Sequence, residues 1–145
     1  MKVYFDNAAT TPIDPEVVDT MVPIMKEQFG NPSSIHSFGR QTRSAIEKAR
    51  KQVAQLLHAS PSEIFFTSGG TEANNTAIRC AIFDLGIKHA ITSSIEHHAV
   101  LHTLEDLEQR GHIKLSIVPI DEDGNVIISE LENLLSSHDN SFVSL

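Results

Sequence analysis

Apolar residues recur at helical spacing in the first third of the chain. Asp14 before Pro15 is the N-cap and first-turn sequence with which helices begin, and Gly30 is a typical helix end. Because proline removes a backbone donor, Pro23 predicts a bend or a split inside this first helix. A second and longer helix is predicted from about residue 37 to 58, with an apolar stripe made of Ala45, Ile46, Ala49, Val53, Leu56 and Leu57.

The rest of the chain alternates between short apolar runs, which are typical of buried strands, and stretches with helical spacing. The predicted strands cover residues 64–67, 89–93, 113–120 and 142–145. The predicted helices cover residues 71–85, 98–110 and 129–136, the last of them capped by Ser129. Repeated strand–helix–strand units predict an α/β fold built on a parallel sheet.

Composition and charge exclude several classes of protein. With 11 Lys and Arg against 19 Asp and Glu, the net charge is -8, which argues against a nucleic-acid or anionic-membrane partner. No apolar stretch approaches the roughly 20 residues that span a bilayer, and residues 1–12 lack the apolar region of a secretory signal. We therefore expect a cytoplasmic protein. A single cysteine, Cys80, excludes an internal disulfide and a cysteine-rich zinc site.

The strongest local signal for chemistry lies in residues 65–72, where a predicted strand runs through Ser68, Gly69 and Gly70 to Thr71 at a predicted helix start. A helix N-terminus leaves amide groups without partners and favours negative charge, and glycines allow an anion to approach the backbone. These residues predict a phosphate-binding turn. The alternative is a tight turn in which Ser68 or Thr71 only caps the helix, and helix-end chemistry alone leaves it open.

A second candidate segment, residues 94–99, carries His97 between a predicted strand and a predicted helix. Open α/β folds bind ligands at the C-terminal ends of their strands, so His97 is placed to stack on an aromatic cofactor and exchange protons. The alternative is a capping or surface histidine. His98 and His102 have i, i+4 spacing but no third ligand nearby in the sequence, so we predict no metal site. Cys80 lies mid-helix beside Ala77 and Ala81, and we expect it to be packed and inert rather than a nucleophile.

Taken together, these segments resemble the N-terminal part of a cysteine desulfurase, in the class V aminotransferase-like family of pyridoxal-phosphate enzymes. Four stretches carry the resemblance, in order along nearly the whole chain. They are Tyr4-Phe5-Asp6-Asn7-Ala8-Ala9-Thr10-Thr11-Pro12, the segment Phe29-Gly30-Asn31-Pro32-Ser33-Ser34 with His36 and Gly39, Phe66-Thr67-Ser68-Gly69-Gly70-Thr71-Glu72-Ala73-Asn74-Asn75, and Glu96-His97-His98-Ala99-Val100.

The resemblance implies roles for three residues. Gly70 and Thr71 would hold the phosphate of pyridoxal 5'-phosphate, and His97 would stack on its ring and take part in proton transfer as the catalytic residue of this segment. The expected activity converts L-cysteine, or a related amino acid, to L-alanine. The sulfur passes to an acceptor protein for iron–sulfur cluster or thio-cofactor assembly, and the active site is built at a homodimer interface.

The family's fold is a three-layer α/β/α domain with a seven-stranded, mostly parallel sheet ordered 3-2-4-5-6-7-1. Residues 1–40 would form an N-terminal segment and residues 41–145 the start of this large domain. The predicted strands would then be strands 1 to 4 of that sheet. Strands 3, 2 and 4 can pair with one another, whereas strand 1, at residues 64–67, would lose its neighbours.

The resemblance also implies that several functional residues lie further along the family's sequence. They are the Schiff-base lysine, the aspartate facing the pyridine nitrogen, the arginine that holds the substrate and the persulfide-forming cysteine. Since the chain ends inside the apolar segment 141–145, we expect a truncation. Because the lysine and the cysteine are missing, we expect the isolated chain to be inactive. Because strand 1 would lose its neighbours, we expect the isolated chain to be marginally stable, rearranged or dependent on a second chain. Two alternatives remain: a non-catalytic fragment that acts only by association with a partner chain, and a phosphate or nucleotide binder that uses only the glycine turn.

Overall fold

The computed structural model describes all residues from Met1 to Leu145. They form two compact units, Met1–Phe65 and Phe66–Leu145. The division at residue 40, which the resemblance implies, stays a prediction. No helix in the chain is both long enough and apolar enough to cross a bilayer.

The first unit contains two helices. Helix α1 spans Pro15–Glu27, and the Asp14 carboxylate accepts a hydrogen bond from the Glu16 amide at 2.9 Å, as the N-cap prediction requires. The helix runs without interruption through Pro23, so the predicted split is wrong. Proline removes a single donor, and the helix tolerates that loss on a surface where none of its residues is buried. It also ends earlier than Gly30, with Gln28 as its C-cap.

Helix α2 spans Ser37–Leu56, close to the predicted range. The Nδ1 atom of His36 accepts from the Gly39 amide at 3.3 Å, so a histidine caps this helix. Residues 30–34 lie against its first turn, where a Cβ added to Gly39 would meet the carbonyl oxygens of Asn31 and Ser34 at 2.5 Å. Glycine is therefore required at residue 39 by close backbone approach.

The second unit contains a parallel sheet of three strands. These are β1 (His89–Ser93), β2 (Lys114–Val118) and β3 (Ser141–Val143), in the order β2-β1-β3. In terms of the family's numbering this is the order 3-2-4, so the predicted pairing is confirmed. All five residues of β1 are buried, as expected for a central strand. None of the three strands includes residues 64–67, and the strand predicted there is wrong.

Three helices flank these strands in sequence: α3 (Gly70–Arg79), α4 (His98–Gln109) and α5 (Ile128–Ser136). A single π-helical turn, Cys80–Asp84, continues α3. Ser129 is not a cap, because α5 begins one residue earlier and has no side-chain cap. The alternation of helices with a parallel sheet confirms the α/β fold. One apolar cluster joins α3, α4 and the sheet, and its members are Ile78, Ile82, Ala90, Val100, Leu104, Leu107 and Ile113.

Candidate functional site

The first turn of α3 presents three amides that make no hydrogen bond within the protein. The first helical bond runs from the Ala73 amide to the Gly69 carbonyl at 3.1 Å, which leaves the amides of Gly70, Thr71 and Glu72 without acceptors. A Cβ added to Gly69 or Gly70 would meet no atom within 4 Å, so the backbone of these two glycines is open on its Cβ side. We call these three amides the amide cup.

The capping alternative for this turn is wrong, because no side chain caps α3. Instead, the Glu72 carboxylate reaches back to Ser68 and accepts from its amide at 2.7 Å and its hydroxyl at 2.6 Å. These two bonds, the hydroxyl first, lower the pKa of Glu72. Ser68 is thereby committed to ordering the turn, while the amide cup makes no hydrogen bond within the protein.

His97 lies at the start of α4 and is exposed. Its Nδ1 atom accepts from the Ala99 amide at 3.0 Å, so the histidine does cap its helix, as the alternative interpretation held. This bond requires a lone pair on Nδ1, and the neutral ring therefore carries its proton on Nε2. Capping fixes the tautomer and leaves Nε2–H as a donor toward a ligand.

Glu96 joins the His97 segment to the end of β3. One carboxylate oxygen accepts from the His97 amide at 2.7 Å, and the other accepts from the Ser144 hydroxyl at 2.5 Å. The bond from Ser144, and then the bond from the His97 amide, lower the pKa of Glu96. Sequence reasoning missed this role of Glu96, and its only local signal was a carboxylate directly before the histidine.

The structure links the amide cup to the His97 segment through Asn75. The amide nitrogen of its side chain donates to the Thr71 carbonyl at 3.0 Å and to the Ala99 carbonyl at 3.4 Å. Thr71 belongs to the amide cup, and Ala99 donates to the His97 ring. The two segments singled out in the sequence are therefore connected in space at the N-terminal ends of α3 and α4.

Two other candidates lie outside this arrangement. The rings of His98 and His102 stack with centroids 4.9 Å apart, but no group of three or more His, Cys, Asp or Glu side chains is placed to hold a metal. Cys80 is exposed, so the prediction that it is packed is wrong; the buried residues of this stretch are Ile78, Ala81 and Ile82, and Cys80 lies off their side of the helix. A hydrogen bond with Asp84 raises the pKa of its thiol, which keeps it protonated.

Comparison with known proteins places the chain in a family. The sequence profile of the aminotransferase class-V family matches residues 3–145. The chain is 51% identical over 136 residues to the cysteine desulfurase IscS of Dictyoglomus turgidum, covering 92% of this chain and 34% of that protein. It is 52% identical over 136 residues to the IscS of Methanosarcina thermophila, covering 92% of this chain and 33% of that protein. The chain thus spans about a third of the length of these relatives.

Solved structures give the same relationship. A NifS-like protein superposes with a TM-score of 0.88 at 42% identity, covering 99% of this chain and 39% of that one. SspA, solved in complex with cysteine, superposes with a TM-score of 0.85 at 37% identity, covering 97% of this chain and 40% of that one. The resemblance found in the sequence, to the N-terminal part of such proteins, is confirmed.

Proposed function

The chain belongs to the aminotransferase class-V family, and from that premise we propose that it supplies the phosphate cup and the ring-stacking histidine of a pyridoxal-phosphate-dependent cysteine desulfurase. The observation that carries the proposal is the amide cup, which offers three unused donors at the first turn of α3, beside two glycines whose surroundings are open within 4 Å of a Cβ position. A ligand phosphate fits such a cradle, because it brings negative charge and acceptor oxygens to donors that have no other partner.

The cup would bind the phosphate by charge-assisted hydrogen bonds. Each such bond contributes about 1.5–3 kcal/mol, and the N-terminal dipole of α3 adds about 0.3–1 kcal/mol for a negative charge near its first turn. The Thr71 hydroxyl supplies a further donor. Glu72 works against this attraction as a nearby negative charge, but its two bonds to Ser68 hold the turn in the shape that keeps the cup open.

His97 would cover the ring of the cofactor and hold a proton beside the reacting atoms. Because Nδ1 accepts from the Ala99 amide, the proton of the neutral ring resides on Nε2, where it can be given to a substrate or leaving group. When bound, pyridoxal phosphate supplies an electron sink for bonds at the substrate's α-carbon. The chain's own contribution is to bind, to orient and to move this proton.

The finer features of the activity are those that the resemblance in the sequence implies, and they belong to the same proposal. The substrate is L-cysteine or a related amino acid, the products are L-alanine and a sulfur carried to an acceptor protein, and the enzyme works as a homodimer in the cytoplasm. The 145-residue chain alone is proposed to be inactive, because the family's cofactor-anchoring lysine and sulfur-accepting cysteine are expected beyond residue 145.

Binding of pyridoxal phosphate to the purified 145-residue chain tests the proposal. We expect reversible binding, seen in the absorbance spectrum and lost on dialysis after borohydride treatment. Thr71→Ala should weaken binding about ten-fold, the equivalent of one hydrogen bond to a charged group. Thr76→Ala, on the same helix, should not weaken it. Equal binding by the Thr71 variant would contradict the role of the cup, and a borohydride-fixed bond to a lysine would contradict the predicted inactivity.

A second candidate function, association with a partner chain without catalysis, is favoured by the apolar face of α1. Its six largest apolar side chains are 39–75% exposed: Val17, Val18, Met21, Val22, Ile24 and Met25. Exposed apolar faces of this kind are typical of protein interfaces. Sedimentation velocity at several concentrations tests it: we expect association that Met25→Glu weakens and Thr20→Glu, on the same helix, leaves unchanged. A chain that stays monomeric throughout would contradict association between copies of this chain through α1.

A further inference from the structure

We propose that Asn75 is a positioning residue that sets the spacing between the amide cup and the His97 ring, so that one cofactor molecule can engage both at once. The inference rests on the proposed function and extends it. It assigns a role to a residue that touches neither phosphate nor ring and acts through Thr71 and Ala99.

The hydrogen bonds of the Asn75 side chain use its whole amide group. Its nitrogen donates to the Thr71 carbonyl at 3.0 Å and to the Ala99 carbonyl at 3.4 Å, and its oxygen accepts from the Thr103 hydroxyl at 3.0 Å. Two carbonyl acceptors on one side and a hydroxyl donor on the other fix which end of the amide is nitrogen. Both donors and the acceptor are thereby used within the protein.

The two carbonyls that Asn75 binds belong to the two halves of the site. Thr71 contributes one amide of the cup, and its carbonyl accepts a hydrogen bond from the side chain of Asn75, one helical turn further along α3. The Ala99 amide donates to His97 Nδ1, while the Ala99 carbonyl accepts from Asn75. Asn75 therefore reaches the amide cup through Thr71 and the imidazole of His97 through Ala99.

Thr103 holds Asn75 in this orientation. The threonine is 9% exposed, and its single hydroxyl proton is shared between Asn75 Oδ1 at 3.0 Å and the Ala99 carbonyl at 2.8 Å, so this hydroxyl connects Asn75 to the first turn of α4. Asparagine is a poor helix former, costing a few tenths of a kcal/mol relative to alanine inside a helix. A bridge between two helix starts is a physical reason to accept that cost at this position.

Spacing matters because a ligand with two binding groups gains from both only when the two halves of its site are held at the right separation. Inorganic phosphate needs the amide cup alone, whereas pyridoxal phosphate needs the cup and the ring together. Loss of the Asn75 bridge should thus weaken pyridoxal phosphate selectively. A residue that merely stabilised the fold would affect both ligands equally or neither.

The test compares the dissociation constants of inorganic phosphate and pyridoxal phosphate for the 145-residue chain. We expect the unchanged chain to prefer pyridoxal phosphate, and Asn75→Ala to reduce this preference about ten-fold while phosphate binding changes less than about two-fold. Asn74→Ala, the adjacent asparagine on the same helix, should keep the preference. Thr103→Val removes only the hydroxyl that orients Asn75, so it should reduce the preference for pyridoxal phosphate by less than Asn75→Ala does. This second variant replaces Asn75→Ala as the test if that variant does not fold.

The outcomes separate this inference from the function on which it rests. If the unchanged chain binds both ligands equally, the proposed function is wrong and the inference falls with it. If the unchanged chain prefers pyridoxal phosphate but Asn75→Ala and Thr103→Val keep that preference, or weaken both ligands by the same factor, the inference alone is overturned.

Discussion

His89 lies face to face with His138, with ring centroids 3.6 Å apart and ring planes 12° from parallel. Both nitrogens of the His89 ring are in contact with serine hydroxyls, Nδ1 with Ser141 at 2.7 Å and Nε2 with Ser116 at 2.8 Å. His89 begins the central strand β1, while the two serines belong to β3 and β2. One buried ring at the start of β1 therefore ties all three strands together.

This arrangement predicts that the second unit loses stability in mild acid. Burial, then the nearby positive charges of His138 and Lys114, lower the pKa of His89 in the folded chain. The unfolded chain, with a histidine pKa near 6.5, takes up a proton at higher pH than the folded chain does. The stabilisation is therefore fully present above about pH 6.5 and is lost as the pH falls through the folded value.

Urea unfolding between pH 5 and 8 measures this effect. The free energy of unfolding should fall toward pH 5. His89→Gln should make it depend less on pH, whereas His102→Gln, the control at an exposed histidine, should leave the pH dependence unchanged. An unfolding free energy that rises toward pH 5 would show that the buried ring accepts a proton readily, against the structure.

Elements specified by local pattern were predictable from the sequence, and those that depend on distant partners were not. Helix α2 and the buried run of β1 lie within a few residues of their predicted ranges, although Leu56 and Leu57 of the predicted α2 stripe are 81% and 65% exposed. Residues 64–67 have the composition of a strand, but a strand forms only beside a partner, and the sheet here contains β1, β2 and β3 alone. Ser129 has cap chemistry, yet α5 starts before it.

The residues of the candidate site also divide into those that the sequence predicts and those that it does not. Motif and helix-end chemistry point to Gly70, Thr71 and His97 directly. Asn75 and Glu96 escaped because their partners lie far along the chain: Thr103 is 28 residues from Asn75, and Ser144 is 48 residues from Glu96. No pattern of neighbouring residues signals that two polar side chains will meet across a fold.

Close packing at Gly39 predicts a strong effect of a single methyl group. A Cβ there would lie 2.5 Å from two carbonyl oxygens, so Gly39→Ala must displace residues 31–34 from the start of α2. We expect it to destabilise the first unit by about 1–3 kcal/mol, as overpacking does, measured as faster hydrogen exchange of the α2 amides. Gly70→Ala meets no atom within 4 Å and is the control; equal exchange in the two variants would contradict the packing.

Cys80 should react slowly although it is exposed. A hydrogen bond with Asp84, then partial desolvation, and then the charge of Asp84 raise the pKa of the thiol, and the thiolate is the reactive form. Alkylation by iodoacetamide at pH 7.5 should be several-fold slower in the folded chain than in urea. Asp84→Asn should speed it, while Asp123→Asn should not. A fast reaction in the folded chain would mean that Asp84 does not control the thiol.

The bond from the Ser144 hydroxyl to Glu96 predicts a measurable change in the ionisation of that carboxyl group. This bond is the largest cause of the lowered pKa of Glu96, so Ser144→Ala should raise that pKa toward its ordinary value. The pH dependence of the ¹³C chemical shift of the Glu96 carboxyl carbon measures this change. Ser94→Ala, at a nearby exposed serine, should leave it unchanged.

The same bond should make the His97 segment sensitive to acid. Because folding lowers the pKa of Glu96, the stabilisation is present above the unfolded value near pH 4.5 and is lost as the pH falls through the folded one. Protonation of Glu96 weakens its hold on the His97 amide, and Ser144→Ala should bring this loosening to higher pH, seen as faster exchange of the His97 amide. If that exchange has the same pH dependence in both chains, Glu96 does not anchor the histidine to the end of β3.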